Sequence, residues 1–286
     1  MKAQVCKAWG PPESLVYEDI AAPPLGSDEV RLAVAAAGLN FPDTLMIAGK
    51  YQVKPAFPFA PGSEVAGRVT EVGARCTRLK LGDRVMSTTS MSGGGGFAEQ
   101  AVVREAMCFR IPDSMSWNEA AGFPVTYGTT YHALVQRGRL KADEVLLVHG
   151  AAGGVGLNAV ELGKVMGATV IGTVGSDAKI DIVKKYGADH VINYSTESIK
   201  DRVKALTGDK GADVIYDAVG GDAFDQSLRC IAWEGRLLVI GFASGRIPQA
   251  PANLVLLKGC EIVGVHWGPF ATRESETHRA NMEQMF

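Results

Sequence analysis

The segment EVLLVHGAAGGVGLNAVELGKVM, residues 144–166, constrains the second half of this chain more than any other feature. VLLV is an apolar run of strand length. A glycine-rich turn follows, and then apolar residues recur with a helical period. The same rhythm repeats downstream. ATVIGTV (168–174) reads as a strand and AKIDIVKKYG (178–187) as a helix closed by glycine. HVINY, SIKDRVKAL, ADVIYDAVG, AFDQSLRCI and GRLLVIG continue the alternation, and EIVGV (261–265) supplies a sixth strand. Strands separated by single helices run parallel, with right-handed crossovers. The expected fold class is therefore α/β, with a doubly wound parallel six-stranded sheet in the order 3-2-1-4-5-6.

In that frame the turn VHGAAGGVG (148–156) lies between the first strand and the first helix. Gly153, Gly154, Val155 and Gly156 are the expected contacts of a pyrophosphate. The glycines allow a tight turn and a close approach of backbone, and the helix start offers free N–H groups and a positive dipole end. The spacing AAGGVG departs from G-x-G-x-x-G and on its own is a weak signal. The strand before it, the helix after it and the five further strand signals make it a dinucleotide site.

The second strand ends in TVGSDAK, residues 173–179. NAD-binding sheets carry an acid there for the ribose hydroxyls. Here Gly175 and Ser176 occupy the tip, Asp177 falls in the following turn, and Lys179 comes next. Small residues leave room for a 2′-phosphate, and Lys179 can pair with it. The expected cofactor is thus NADPH, although Lys179 also reads as a solvated helix lysine. Tyr194, closing the third strand, is placed either against the adenosine or as an edge tyrosine.

Residues 1 to about 115 have a different rhythm. EVRLAVAAAGL (29–39) puts Val30, Leu32 and Val34 on one face, and SEVAGRVTEVG (63–73) and FAEQAVV (97–103) behave likewise. Gly- and Pro-rich breaks separate them, which suits a mostly antiparallel β-rich domain. SGGGG at 92–96 reads as a loose loop.

The bulk properties narrow the function class. The chain has 286 residues, more than one core usually spans, and 29 Lys and Arg against 31 acids give a net charge of -2. A clustered basic excess is absent, as is an aromatic platform, so neither nucleic acid nor RNA is an expected partner. No run approaches a membrane span and the start has no signal-peptide core, so the expected location is cytoplasmic and no membrane partner is expected. The five cysteines are widely spaced and odd in number, which argues against a disulfide framework.

Five stretches together carry a resemblance: AAAGLNFPDTLMIAGKY (35–51), PFAPGSEVAGRVTEVG (58–73), GDRV (82–85), TTYHAL (129–134) and VHGAAGGVGL (148–157). With them the chain resembles the zinc-free quinone oxidoreductases, the zeta-crystallin-like branch of the medium-chain dehydrogenase/reductase superfamily. The resemblance implies a GroES-like N-terminal domain. It implies a catalytic (substrate) domain over 1–120, a dinucleotide-binding domain over 121–268, and, at 269–286, a truncated start of a segment that would return to the catalytic domain.

Zinc-dependent relatives have a ligand cysteine where this chain has Asn40 and a ligand histidine where it has Ser63. Glu64 remains, but one carboxylate cannot build a tetrahedral zinc site. No metal is expected, and reduction of an electron-poor acceptor is easier without a Lewis acid than oxidation of an alcohol. By resemblance Asn40 faces the nicotinamide and serves both substrate and cofactor, and Tyr51 shapes the acceptor pocket. Thr129 lies near the nicotinamide, and Gly241 and Phe242 flank its ribose, with core packing an equal reading for Phe242. Asp43 is read as a helix cap rather than a proton donor, and His132, His149 and His266 as structural. The expected activity is NADPH-dependent reduction of a quinone or another α,β-unsaturated carbonyl. The alternative is a nucleotide-binding structural or regulatory protein with little turnover. The resemblance also implies a homodimer joined through the sixth strands.

Overall fold

The structure is a computed structural model and describes residues 1–89 and 95–285. The chain separates into two compact units, Met1–Val125 and Thr126–Phe286.

In the first unit, β1 (Lys2–Val5) and β2 (Val16–Asp19) form an antiparallel hairpin. A five-stranded antiparallel sheet is built from β3 (Glu29–Gly38), β4 (Glu64–Val72), β5 (Arg84–Thr88), β6 (Gln100–Arg104) and β7 (Cys108–Arg110), in the order β6-β3-β4-β5-β7. The alternation that marked these strands is the alternation of their faces. Val30 and Leu32 point into one core with Val65, Val69, Val85 and Val103, and Val34 packs on its margin. Two short helices, α1 (Phe41–Ile47) and α2 (Trp117–Ala121), lie in the connections, and α3 (Pro124–His132) begins at the end of the unit. Of the SGGGG segment, residues 92–94 lie outside the described residues.

The second unit contains β8 (Val145–His149), α4 (Gly154–Val165), β9 (Thr169–Val174), α5 (Ile180–Lys185), β10 (His190–Asn193), α6 (Ile199–Leu206) and β11 (Ala212–Asp217). It continues with α7 (Gly221–Cys230), β12 (Ile231–Val239), α8 (Ala252–Lys258), β13 (Glu261–Gly264), α9 (Trp267–Arg273) and α10 (Ser275–Gln284). All strand pairings are parallel and the order is β10-β9-β8-β11-β12-β13, the expected 3-2-1-4-5-6.

Both faces of this sheet are covered, which explains why its strands read as continuous apolar runs. On one face Leu146 and Val148 of β8 pack with Ala159 and Val160 of α4 and Val183 of α5. On the other, Leu147 packs with Ile199 and Val203 of α6 and with Phe224 and Leu228 of α7. Each fully buried aliphatic side chain of this kind stabilises the fold by about 1.5–3 kcal/mol.

Two features depart from the sequence reading. The fifth strand begins at Ile231 rather than near Gly235, because the partner register jumps from Ala212↔Ile231 to Val214↔Arg236. The extra residues form a bulge in which Glu234 adopts a left-handed φ of 58°. The second is the helical form of residues 267–284. Trp267 covers Gly128 so closely that a Cβ there would lie 2.7 Å from its ring. The Phe270 ring stacks on His132 at 3.7 Å, and Tyr131 Oη donates to Gln284 Oε1 at 2.7 Å.

Candidate functional site

Within the second unit, the glycine turn opens from β8 at Gly150, whose φ of 64° suits glycine. Ala151 N bonds to Thr173 O of β9 and Gly153 N to Gly150 O, which fixes the turn against the sheet. Gly153 is the N-cap of α4, so the first-turn N–H groups of Gly154, Val155 and Gly156 have no intrahelical acceptor. Gly156 permits the close packing: a Cβ there would lie 2.1 Å from Gly150 O. These residues fit a pyrophosphate group, since they offer unpaired backbone donors and the positive end of a helix.

Around the end of β9 the structure brings Gly175, Ser176, Lys179 and Tyr194 into one region. Gly175 lies under the Tyr194 ring, where a Cβ would come within 2.7 Å of the phenol oxygen. Tyr194 is about half exposed, and Lys179 is exposed and forms no ion pair among the described residues. Asp177 opens the short turn Asp177–Lys179. Gly241 and Phe242 follow β12 at the same C-terminal edge of the sheet, and Phe242 is partly buried against Gly220. Thr129 is half-buried on α3.

His149 behaves as a structural residue. It is fully buried, with Nδ1 3.1 Å from Thr173 Oγ1 and Nε2 2.7 Å from Ser227 Oγ. Burial pushes its pKa below the ordinary value, so it stays neutral. His132 is held by its stack on Phe270 and by Gln136.

In the first unit, Asn40 and Tyr51 sit at opposite ends of α1. Asn40 is its N-cap; Tyr51 follows the left-handed turn at Gly49 and packs on Cys6, Met46, Ile47 and Phe59. A cavity of about 630 Å³ adjoins Asn40, with Asp43 and Thr44 as further polar lining and Leu15, Leu39, Phe41 and Ile47 among its apolar walls. Tyr51 is not among its lining residues.

The sequence reading passed over the partners of Asn40. Asn40 Nδ2 donates to Glu64 Oε1 at 2.8 Å, and Val125 N donates to Glu64 Oε2 at 2.8 Å. Gly38 makes this possible, because a Cβ on it would lie 2.3 Å from Glu64 Oε1. Glu64 is almost wholly buried, and burial pushes its pKa up to about 7 against the pull of those two donors. Asp43 accepts the N–H of Asn40 at 2.8 Å and the hydroxyl of Ser63. It is therefore the third helical residue closing back on the N-cap, and burial also raises its pKa. The signal was available in PGSEVAG, where an acid stands in a stretch otherwise destined for the core. Among the described residues no group of three or more His, Cys, Asp or Glu is arranged to hold a metal ion. No helix there is long and apolar enough to cross a membrane.

Comparison with known proteins agrees with this architecture. The alcohol dehydrogenase GroES-like domain family matches residues 26–113, and the zinc-binding dehydrogenase family matches residues 154–283. The quinone oxidoreductase-like protein 2 homolog of Nematostella vectensis is 44% identical over 285 residues, which are 99% of this chain and 77% of that protein. A quinone oxidoreductase structure from Pseudomonas syringae superposes with a TM-score of 0.91 at 35% identity, covering 99% of this chain and 87% of that one. The Escherichia coli quinone oxidoreductase complexed with NADPH gives a TM-score of 0.90 at 30% identity, over 100% and 86% of the two chains. The chain belongs to the zinc-free quinone oxidoreductase branch of the medium-chain dehydrogenase/reductase superfamily, and it is an oxidoreductase.

Proposed function

We propose that this protein is an NADPH-dependent reductase that delivers hydride to a quinone or another α,β-unsaturated carbonyl without help from a metal. On this reading the second unit binds the dinucleotide and the first presents the acceptor. The end of β9 carries the reading: Gly175, beneath Tyr194, offers no acid where one would select NADH, and Lys179 is left exposed beside it. The NADPH complex of the Escherichia coli relative supports the same choice.

When bound, the cofactor supplies the hydride; the protein orients the acceptor. Asn40 spends one amide hydrogen on Glu64, which leaves its second hydrogen for a carbonyl oxygen on the acceptor. A donor held by a buried carboxylate is preorganised for charge as it builds on that oxygen. The apolar walls of the neighbouring cavity suit a conjugated, uncharged acceptor. Thr129, Gly241 and Phe242 are proposed on the nicotinamide side, and Tyr51 as a support for α1 and the acceptor pocket.

The test is equilibrium binding of NADPH and NADH, followed by NADPH consumption with a panel of quinones and enones. NADPH is expected to bind more tightly than NADH. Lys179→Ala is expected to weaken NADPH by about 1.5–3 kcal/mol, the worth of a charged hydrogen bond, and to leave NADH nearly unchanged. Equal affinities in the unmodified protein would overturn the cofactor assignment. Tight NADPH binding without consumption by any acceptor would favour a nucleotide-binding role with little turnover.

A further inference from the structure

The end of β9 is braced by three consecutive residues that follow or close β10. Tyr194 lies over Gly175, Ser195 Oγ donates to Gly175 O at 2.9 Å, and Asn193 Nδ2 donates to Asp177 Oδ1 at 2.7 Å. The first two hold the backbone. The third does something different, because it controls a charge.

Asp177 is the carboxylate nearest in sequence to the strand end, three residues past Val174. A carboxylate in this neighbourhood has two consequences for a dinucleotide. Free to turn toward the ribose, it accepts hydrogen bonds from the 2′- and 3′-hydroxyls and repels a 2′-phosphate. Tied to a neighbour on the next strand, it keeps its charge but is restrained from turning toward the ribose. The structure shows it tied, and the tie is rigid at the other end. Asn193 is buried, closes β10 opposite Val174 in the ladder, and has its amide orientation fixed because Asn193 Oδ1 accepts from Ser195 N at 3.0 Å. With the oxygen engaged, only the NH2 group can face Asp177.

We propose that Asn193 is a specificity-determining positioning residue, whose amide restrains the Asp177 carboxylate so that the β9 end accepts a 2′-phosphorylated ribose. This rests on the NADPH reading above and deepens it. NADPH preference then has a component that the tip residues Gly175, Ser176 and Lys179 do not provide: an acid is present nearby, and it is held out of the way.

The experiment is a charge-neutral exchange of the pair, read by equilibrium binding of NADPH and NADH to the full chain. Asn193→Asp keeps the acceptor for Ser195 N and replaces the donor toward Asp177 with a repelling oxygen. The ratio of NADPH to NADH affinity is expected to fall at least tenfold. The double variant Asn193→Asp with Asp177→Asn restores one donor and one acceptor at unchanged net charge, and is expected to return the ratio to within about threefold of the unmodified protein. Asp177→Asn alone is expected to keep or raise the preference for NADPH. The inference is overturned if Asn193→Asp weakens both cofactors equally, if it leaves the ratio unchanged, or if the double exchange does not restore it. If Asn193→Asp does not fold, Asn193→Ser releases the Asp177 carboxylate without adding a charge; it must lower the NADPH-to-NADH ratio, and an unchanged ratio overturns the inference. Failure of the NADPH reading is seen separately, as equal affinities before any substitution.

Discussion

At the scale of single residues, the first unit concentrates its polar chemistry in Asn40, Asp43, Ser63 and Glu64. If Asn40 donates to the acceptor, Asn40→Ala lowers turnover by a factor on the order of ten to a thousand, the range for losing one positioned donor. Single-turnover hydride transfer with deuterated NADPH checks this, and an unchanged hydride step would remove Asn40 from the chemistry. Glu64 makes a second prediction. Its carboxyl has a pKa of about 7 in the folded protein against an ordinary value of 4.5, so the folded state binds more protons between those values. Stability therefore falls as pH rises from about 4.5 through 7, and levels off above. Glu64→Gln keeps an acceptor for one of the two donors and cannot ionise, so this decline disappears from its urea midpoints. Parallel pH profiles for the two proteins would show that folding does not raise the Glu64 pKa. Asn40 was legible in the sequence from its motif. The Asn40–Glu64 bond was not, because it joins the end of one strand to the start of another across 24 positions and depends on a missing side chain at Gly38.

Among the elements, the turn between β8 and α4 leaves little room for change. Gly156→Ala would press a methyl group into Gly150 O and Ala151 Cα, both backbone. The expected result is loss of NADPH binding in a calorimeter, with a lowered melting temperature. A variant that binds normally would mean that α4 can shift without moving its N-terminus. The six parallel strands followed from the alternation, and their order from the doubly wound sheet of dinucleotide-binding folds. The start of β12 did not follow: IAWEG contains a tryptophan and a glutamate that read as a loop, and they form a bulge whose left-handed Glu234 is set by tertiary pairing. Helices α9 and α10 also escaped notice, because Trp267, Phe270 and Met282 bury a sparse apolar face that periodicity barely registers. The hold of Asn193 on Asp177 lies further out of reach, since a contact between two strand ends has no signature in either segment.

For the whole molecule, one group of exposed apolar side chains lies by the edge of the parallel sheet. β13 is an edge strand, and Trp233, Leu256 and Leu257 near it are each at least 70% exposed, with Trp233 resting on Gly259. An uncovered edge of this kind is an aggregation hazard, and pairing two copies through it removes the hazard. A homodimer is therefore proposed, and light scattering at micromolar concentration is expected to find it. Leu256→Asp combined with Leu257→Asp is expected to shift the protein to monomer; a soluble monomer before substitution would overturn the proposal.

The strand order also governs how the chain must assemble. β8 can pair with β9, and β9 with β10, as soon as each has been made, but the other side of β8 waits for β11, which begins 63 residues after β8 ends. Until then the backbone N–H and C=O groups of that side of β8 stay open, and Leu147 lacks the cover that α7 supplies. Closing so long a loop is slow, and a half-built parallel sheet is adhesive. The seam between β8 and β11 is thus expected to be the last part of the sheet to form. In pulse-labelling exchange the β8–β10 amides would gain protection before those of β11, and refolding yield would fall with protein concentration for as long as that seam stays open.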